Sequence, residues 1–195
     1  TMGDFYFENL GNRFEERSRK HGVNDYGIGR GSVNFDYDND GDQDLLVVNQ
    51  VPVCNYPVAS FTRLYRNDSA AGNWLKVGLK GILAESKGIG SKVEILAGGK
   101  RMIREIDGGG SSHISQNSVI AHFGLGKISK IDTLIVHWTG GNKQALANVS
   151  VNQFITVTEI PQPRNKRSNL LYFLSAFVVS AVAFAGWRMK RGMKQ

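Results

Sequence analysis

The sequence predicts an all-β chain that ends in one apolar helix. Three observations carry this. Apolar and polar side chains alternate over short stretches across the second half of the chain, pairs and triplets of glycine separate those stretches, and eighteen consecutive residues without a charge follow, Leu170 to Trp187. Alternation with period two is the mark of a half-buried strand, and glycine pairs mark tight hairpins.

The strands come in order from residue 73 onward. Leu75, Val77 and Leu79 alternate with Lys76, Gly78 and Lys80, and further strand patterns run over 92–96, 100–106, 118–123, 132–138 and 154–159. Gly98-Gly99, Gly108-Gly109-Gly110 and Gly140-Gly141-Asn142 supply turns, and no long helical period occurs before residue 168. Residues 73–160 are therefore expected to form a small antiparallel β-sandwich or barrel.

The segment 170–187, LLYFLSAFVVSAVAFAGW, is expected to be a single transmembrane helix. As a helix it would measure about 27 Å against a hydrocarbon core of about 30 Å. Tyr172 and Trp187 stand near its ends, and basic residues flank it in a linker at 161–169 and a tail at 188–195. This implies a lipid bilayer as partner, with the C-terminus on the cytoplasmic side and the bulk of the chain periplasmic or at the cell surface. An alternative expectation is a processed sorting tail: Ile160-Pro161-Gln162-Pro163, an apolar run and a basic end resemble bacterial Pro-Glu-Pro tails, with Gln162 in the place of the Glu.

Charge sharpens the division. The 195 residues carry a formal +7, which by itself would point to nucleic acid. Yet the last acid is Glu159, and seven cations follow it: Arg164, Lys166, Arg167, Arg188, Lys190, Arg191 and Lys194. Acids and bases balance in what precedes, so the body exerts no general pull on phosphate. The single cysteine, Cys54, excludes an internal disulfide framework and a cysteine-based zinc site. Thr1 to Lys20 has no apolar signal core, and the start in mid-pattern is expected to mark the C-terminal piece of a longer precursor.

The sharpest chemical signal is Asp36-Tyr-Asp-Asn-Asp-Gly-Asp-Gln-Asp44-Leu, with carboxylates at alternate positions and Gly41 at the sixth. Hard Ca²⁺ takes six to eight oxygens at about 2.4 Å, and alternate positions of a tight loop converge on one point when a glycine permits the turn. Asp36, Asp38, Asp40 and Asp44 are the expected side-chain ligands, with Asp42 giving its backbone carbonyl. An EF-hand would require a bidentate Glu at position twelve, where Val47 stands, and the apolar run Leu45 to Val48 says that the loop feeds a strand.

Around this loop the sequence Gly27-Ile-Gly-Arg-Gly-Ser-Val-Asn-Phe-Asp36 and its continuation to Leu45, preceded by Asn9-Leu-Gly-Asn-Arg-Phe-Glu-Glu16 and followed by Arg63-Leu-Tyr-Arg-Asn67, resembles an FG-GAP/VCBS repeat as found in integrin alpha-type propellers. The resemblance implies that residues 1–68 hold one β-propeller blade of about four strands with a calcium loop. A lone blade cannot close a ring, so upstream blades of the same precursor are implied as partners. Asn73-Trp-Leu, Lys87-Gly-Ile-Gly-Ser-Lys-Val93, Arg104-Glu-Ile-Asp-Gly-Gly-Gly110, His122-Phe-Gly-Leu-Gly126 and Leu134-Ile-Val-His-Trp138 resemble the ASPIC/UnbV domain, which follows FG-GAP repeats in the cartilage acidic protein-like family.

Catalytic signals are absent. His21, His113, His122 and His137 are scattered, neither GxSxG nor HExxH occurs, and the glycine-rich stretches lack the spacing of a phosphate loop. The sequence is thus read as a non-enzymatic, membrane-anchored adhesion or recognition module with structural Ca²⁺, whose ligand is a protein or glycan. The alternative is a scaffold or accessory subunit of a membrane protein assembly, docked through its single transmembrane helix.

Overall fold

The computed structural model describes residues 3–52, 55, 57–68, 72–109 and 115–162. The chain begins with a short antiparallel hairpin, β1 (Phe7–Asn9) and β2 (Phe14–Glu16), followed by a single helical turn, α1 (Ser18–His21). A three-stranded antiparallel sheet comes next, built from β3 (Ile28–Phe35), β4 (Asp44–Gln50) and β5 (Arg63–Tyr65) in that spatial order. A buried carboxylate ties it together. Asp25 accepts hydrogen bonds from the Asn49 amide and, at 3.1 Å, from Arg63 Nε, so residues far apart in the sequence converge beneath the sheet.

From residue 73 the chain builds two facing sheets. Its strands are β6 (Asn73–Lys80), β7 (Lys92–Ala97), β8 (Lys100–Glu105), β9 (Ala121–Gly126), β10 (Lys130–His137), β11 (Lys143–Ser150) and β12 (Gln153–Thr158). One sheet has the order β11-β10-β7-β8 and the other β12-β6-β9. Leu75, Val77, Val93, Ile95, Phe123, Ile131, Leu134 and Val136 are fully buried between them. Removing that much apolar surface from water is the main favourable term holding the sheets face to face. Gly98 and Gly99, both at positive φ (56° and 71°), make the tight β7–β8 hairpin.

Three expectations require correction. Among the described residues no helix is long and apolar enough to cross a membrane, which overturns the fold class that ended in a transmembrane helix; the segment 170–187 itself lies outside the described residues. The second module is not wholly antiparallel, because β12 runs parallel to β6. Only Val151 and Asn152 separate β11 from β12, yet the chain does not fold back as a hairpin. Asn152, at φ 58°, donates its N–H to Trp74 O (2.6 Å) and accepts from Trp74 N–H through Oδ1 (3.0 Å), and this clamp turns the strand into the opposite sheet beside β6. Finally, the first module is not one four-stranded blade. Its strands divide into a two-stranded and a three-stranded sheet, since among the described residues β1 and β2 pair only with each other.

Candidate metal centre

The acidic loop joins β3 to β4 and closes on itself through its own carboxylates. Gly41 N–H donates to Asp36 Oδ2 (2.8 Å), Asp40 N–H to Asp38 Oδ1 (3.4 Å) and Asp42 N–H to Asp40 Oδ1 (2.9 Å). Such Asx-type turns bend the backbone inward at alternate residues. Asp44, at the start of β4, is almost completely buried; Oδ2 accepts from Tyr37 N–H (3.0 Å) and Oδ1 from Asn67 N–H (2.9 Å). Both of its oxygens are therefore engaged in holding the loop entrance and the irregular segment after β5.

The structure brings Asp36, Asp38 and Asp40 together, one carboxylate oxygen from each lying within 4.8 Å of the others. Two further oxygens stand out. Asp36 Oδ1 and Asp42 Oδ2 are buried without a hydrogen-bond partner, although the Asp36 side chain is only 3% exposed. Burying a carboxylate oxygen unpaired is costly unless a cation or donor compensates it. Asp42 registers this directly: burial, and then the charges of Asp40 and Asp44, push its carboxyl above the ordinary Asp range.

The loop does not stand alone, for it lies against the outer face of β6 and β9. The Trp74 indole packs on Gly41, His122 Nε2 lies 2.7 Å from Gly41 O, and Lys76 forms an ion pair with Asp36. Gly41 is required twice over. Its φ of 102° disfavours any L side chain, and a Cβ there would fall 1.9 Å from Trp74 Nε1. Beside this contact runs a cleft of about 600 Å³, lined among others by Asn39, Gln43, Arg104, Asn117 and Phe154.

Sequence reasoning did not pick out Lys76, Trp74 or His122 as neighbours of the loop. Lys76 occupies an alternating position that faces away from the sandwich core, where a solvated lysine is the ordinary expectation. The remaining histidines sit elsewhere: His21 Nε2 is 3.5 Å from Glu8, His137 Nε2 is 3.1 Å from Glu94, and His113 lies outside the described residues, as does Cys54.

Fold and site together define an all-β protein in which a sandwich with one mixed sheet supports a folded acidic loop. Residues 81–164 match the family described as ASPIC and UnbV, so the chain carries an ASPIC/UnbV domain. That match begins directly after β6, although Leu75 and Val77 of β6 belong to the same core. Over 143 residues the chain is 31% identical to cartilage acidic protein 1 of Homo sapiens, an alignment covering 72% of this chain and 20% of that protein. The chain thus spans about a fifth of the length of this relative.

Proposed function

We propose that this chain is a calcium-binding recognition module without catalytic activity, in which Ca²⁺ is structural. One observation carries the proposal: three carboxylates converge within 4.8 Å while Asp36 Oδ1 and Asp42 Oδ2 are buried and lack any partner. Carboxylate oxygens are the donors a hard cation takes, and Asp36, Asp38, Asp40 and Asp42 are the residues that would hold it. Asp44 would act one step back, fixing the loop ends through the two backbone N–H groups it already accepts. Bound calcium would supply positive charge that relieves the repulsion among these acids and removes the penalty on the unpaired oxygens.

The FG-GAP/VCBS resemblance of residues 27–45 supports the same reading. So does the position of the loop, pinned between strands that fix its ends. Extracellular modules bind calcium at about 10⁻⁴ to 10⁻³ M, which suits surroundings outside a cytosol where the ion is scarce. The chain is accordingly proposed to work outside the cytosol, with a protein or glycan as the ligand it recognises.

Thermal melts in about 10 mM calcium and in EGTA test this proposal. At the affinities above, calcium adds about 1.4–2.7 kcal/mol. The double substitution Asp38→Asn with Asp40→Asn is expected to abolish that increment while leaving the melt in EGTA unchanged or slightly higher. An increment of equal size in the variant would show that calcium acts elsewhere.

A further inference from the structure

Lys76 is buried where the pattern of its strand calls for exposure. Its neighbours in β6, Leu75 and Val77, point into the sandwich core, so Lys76 projects from the opposite face, against which the acidic loop lies. The Lys76 side chain is 10% exposed, its ammonium pairs with Asp36, and it lies 5.0 Å from the centre of the Trp74 ring. An ammonium is a compact, strongly hydrated point charge, and it is seldom taken this far out of water without a dedicated counter-charge.

That counter-charge is the first carboxylate of the loop. Asp36 Oδ2 is shared between Lys76 and the Gly41 N–H, Asp36 Oδ1 stays unpaired, and one Asp36 carboxylate oxygen lies within 4.8 Å of one from Asp38 and one from Asp40. A divalent cation held by these three acids would have the Lys76 ammonium at the edge of its coordination shell, and two cations would then compete for one carboxylate. Like charges at such separation repel strongly in a site that excludes water. Lys76 also borders the cleft of about 600 Å³, so its long stem has open space to swing into.

We propose that Lys76 is the loop's internal counter-cation: it neutralises Asp36 when calcium is absent, and calcium entry displaces its ammonium into the cleft. The inference rests on reading the loop as a calcium site and adds the regulation of that site. The sandwich module thereby sets the affinity of a loop belonging to the module before it. Trp74, which touches both Gly41 and Lys76, lies at the point of exchange.

Two experiments on the full chain test this, with calcium itself as the probe. In the first, the unaltered protein is labelled with an amine-reactive reagent in calcium and in EGTA, and labelling of Lys76 is read by mass spectrometry. Several-fold faster labelling in calcium is expected; calcium binding with unchanged or slower labelling overturns the proposal. In the second, calcium affinity is compared between the unaltered chain and Lys76→Met, which keeps the apolar stem and removes the charge. Binding at least about tenfold tighter in the variant is expected, and binding detectable only in the variant overturns the displacement of Lys76 by calcium. Equal or weaker binding overturns it while leaving the calcium site standing, whereas no binding to either protein overturns both. The labelling experiment uses no variant, so its outcome holds even if Lys76→Met fails to fold in EGTA.

Discussion

Replacing Gly41 by alanine probes the point where loop and sandwich meet, and the structure sets the size of the effect. Two costs combine. At φ 102° an L residue sits outside its comfortable regions, a strain of about 1–3 kcal/mol. The new Cβ would also lie 1.9 Å from Trp74 Nε1 and 2.3 Å from two ring carbons, so the loop or the indole must move, which adds about 1–3 kcal/mol. Together they predict a loss of about 2–6 kcal/mol, or roughly 5–20 °C in melting temperature for a unit of this size. Gly11 supplies the control, because its φ is 92° and a Cβ there would meet nothing within 4 Å. Gly11→Ala should therefore show the backbone cost alone. Circular dichroism melts of both variants in EGTA measure the difference, and equal losses for the two would refute the packing of the loop against Trp74.

The remaining predictions concern the core and pH. Phe123 is completely buried between the sheets, so Phe123→Ala should cost about 3–5 kcal/mol in urea unfolding. The Glu94 carboxyl is lowered to about 2, chiefly because Arg101 donates to both of its oxygens, with His137 adding to the effect against the opposing cost of burial. Since its folded value lies below the ordinary 4.5, its stabilising contribution is complete above that pH and is lost as pH falls from 4.5 toward 2. Urea midpoints measured across that window should fall with acid in the unaltered protein and fall less in Glu94→Gln; parallel curves would contradict the role given to this pair.

Much of the fold was legible because strands and turns have local causes. Alternation in Leu75 to Lys80 announced β6, and Gly98-Gly99 announced the β7–β8 hairpin, since both signals reside within a few residues. The acidic loop was legible for the same reason. What escaped had causes at long range. β11 is an edge strand rich in Lys, Gln, Ala and Asn, and only Val149 within it is buried, so it carries no strong pattern. The parallel course of β12 depends on the clamp between Asn152 and Trp74, separated by 78 positions.

The site shows the same division. That five aspartates gather in one loop was plain, but their unequal duties were not. Asp44 is committed to two backbone N–H groups, one of them on Asn67, 23 residues away, and Asp42 keeps an unpaired oxygen. Lys76 looked like the solvated partner in an alternating strand because nothing local says that a loop some 40 residues earlier will cover it. Asp25, buried beneath the first sheet, escaped likewise, its partners Asn49 and Arg63 lying 24 and 38 residues on.

The central claim is that the loop holds one calcium ion through its aspartates. Isothermal titration of the full chain with calcium tests it most directly, with Asp38→Asn/Asp40→Asn titrated alongside. One site with a dissociation constant of about 10⁻⁴ to 10⁻³ M, lost in the double variant, is the predicted result. Binding of the same strength and stoichiometry in both proteins, or none in the unaltered chain, would contradict the account.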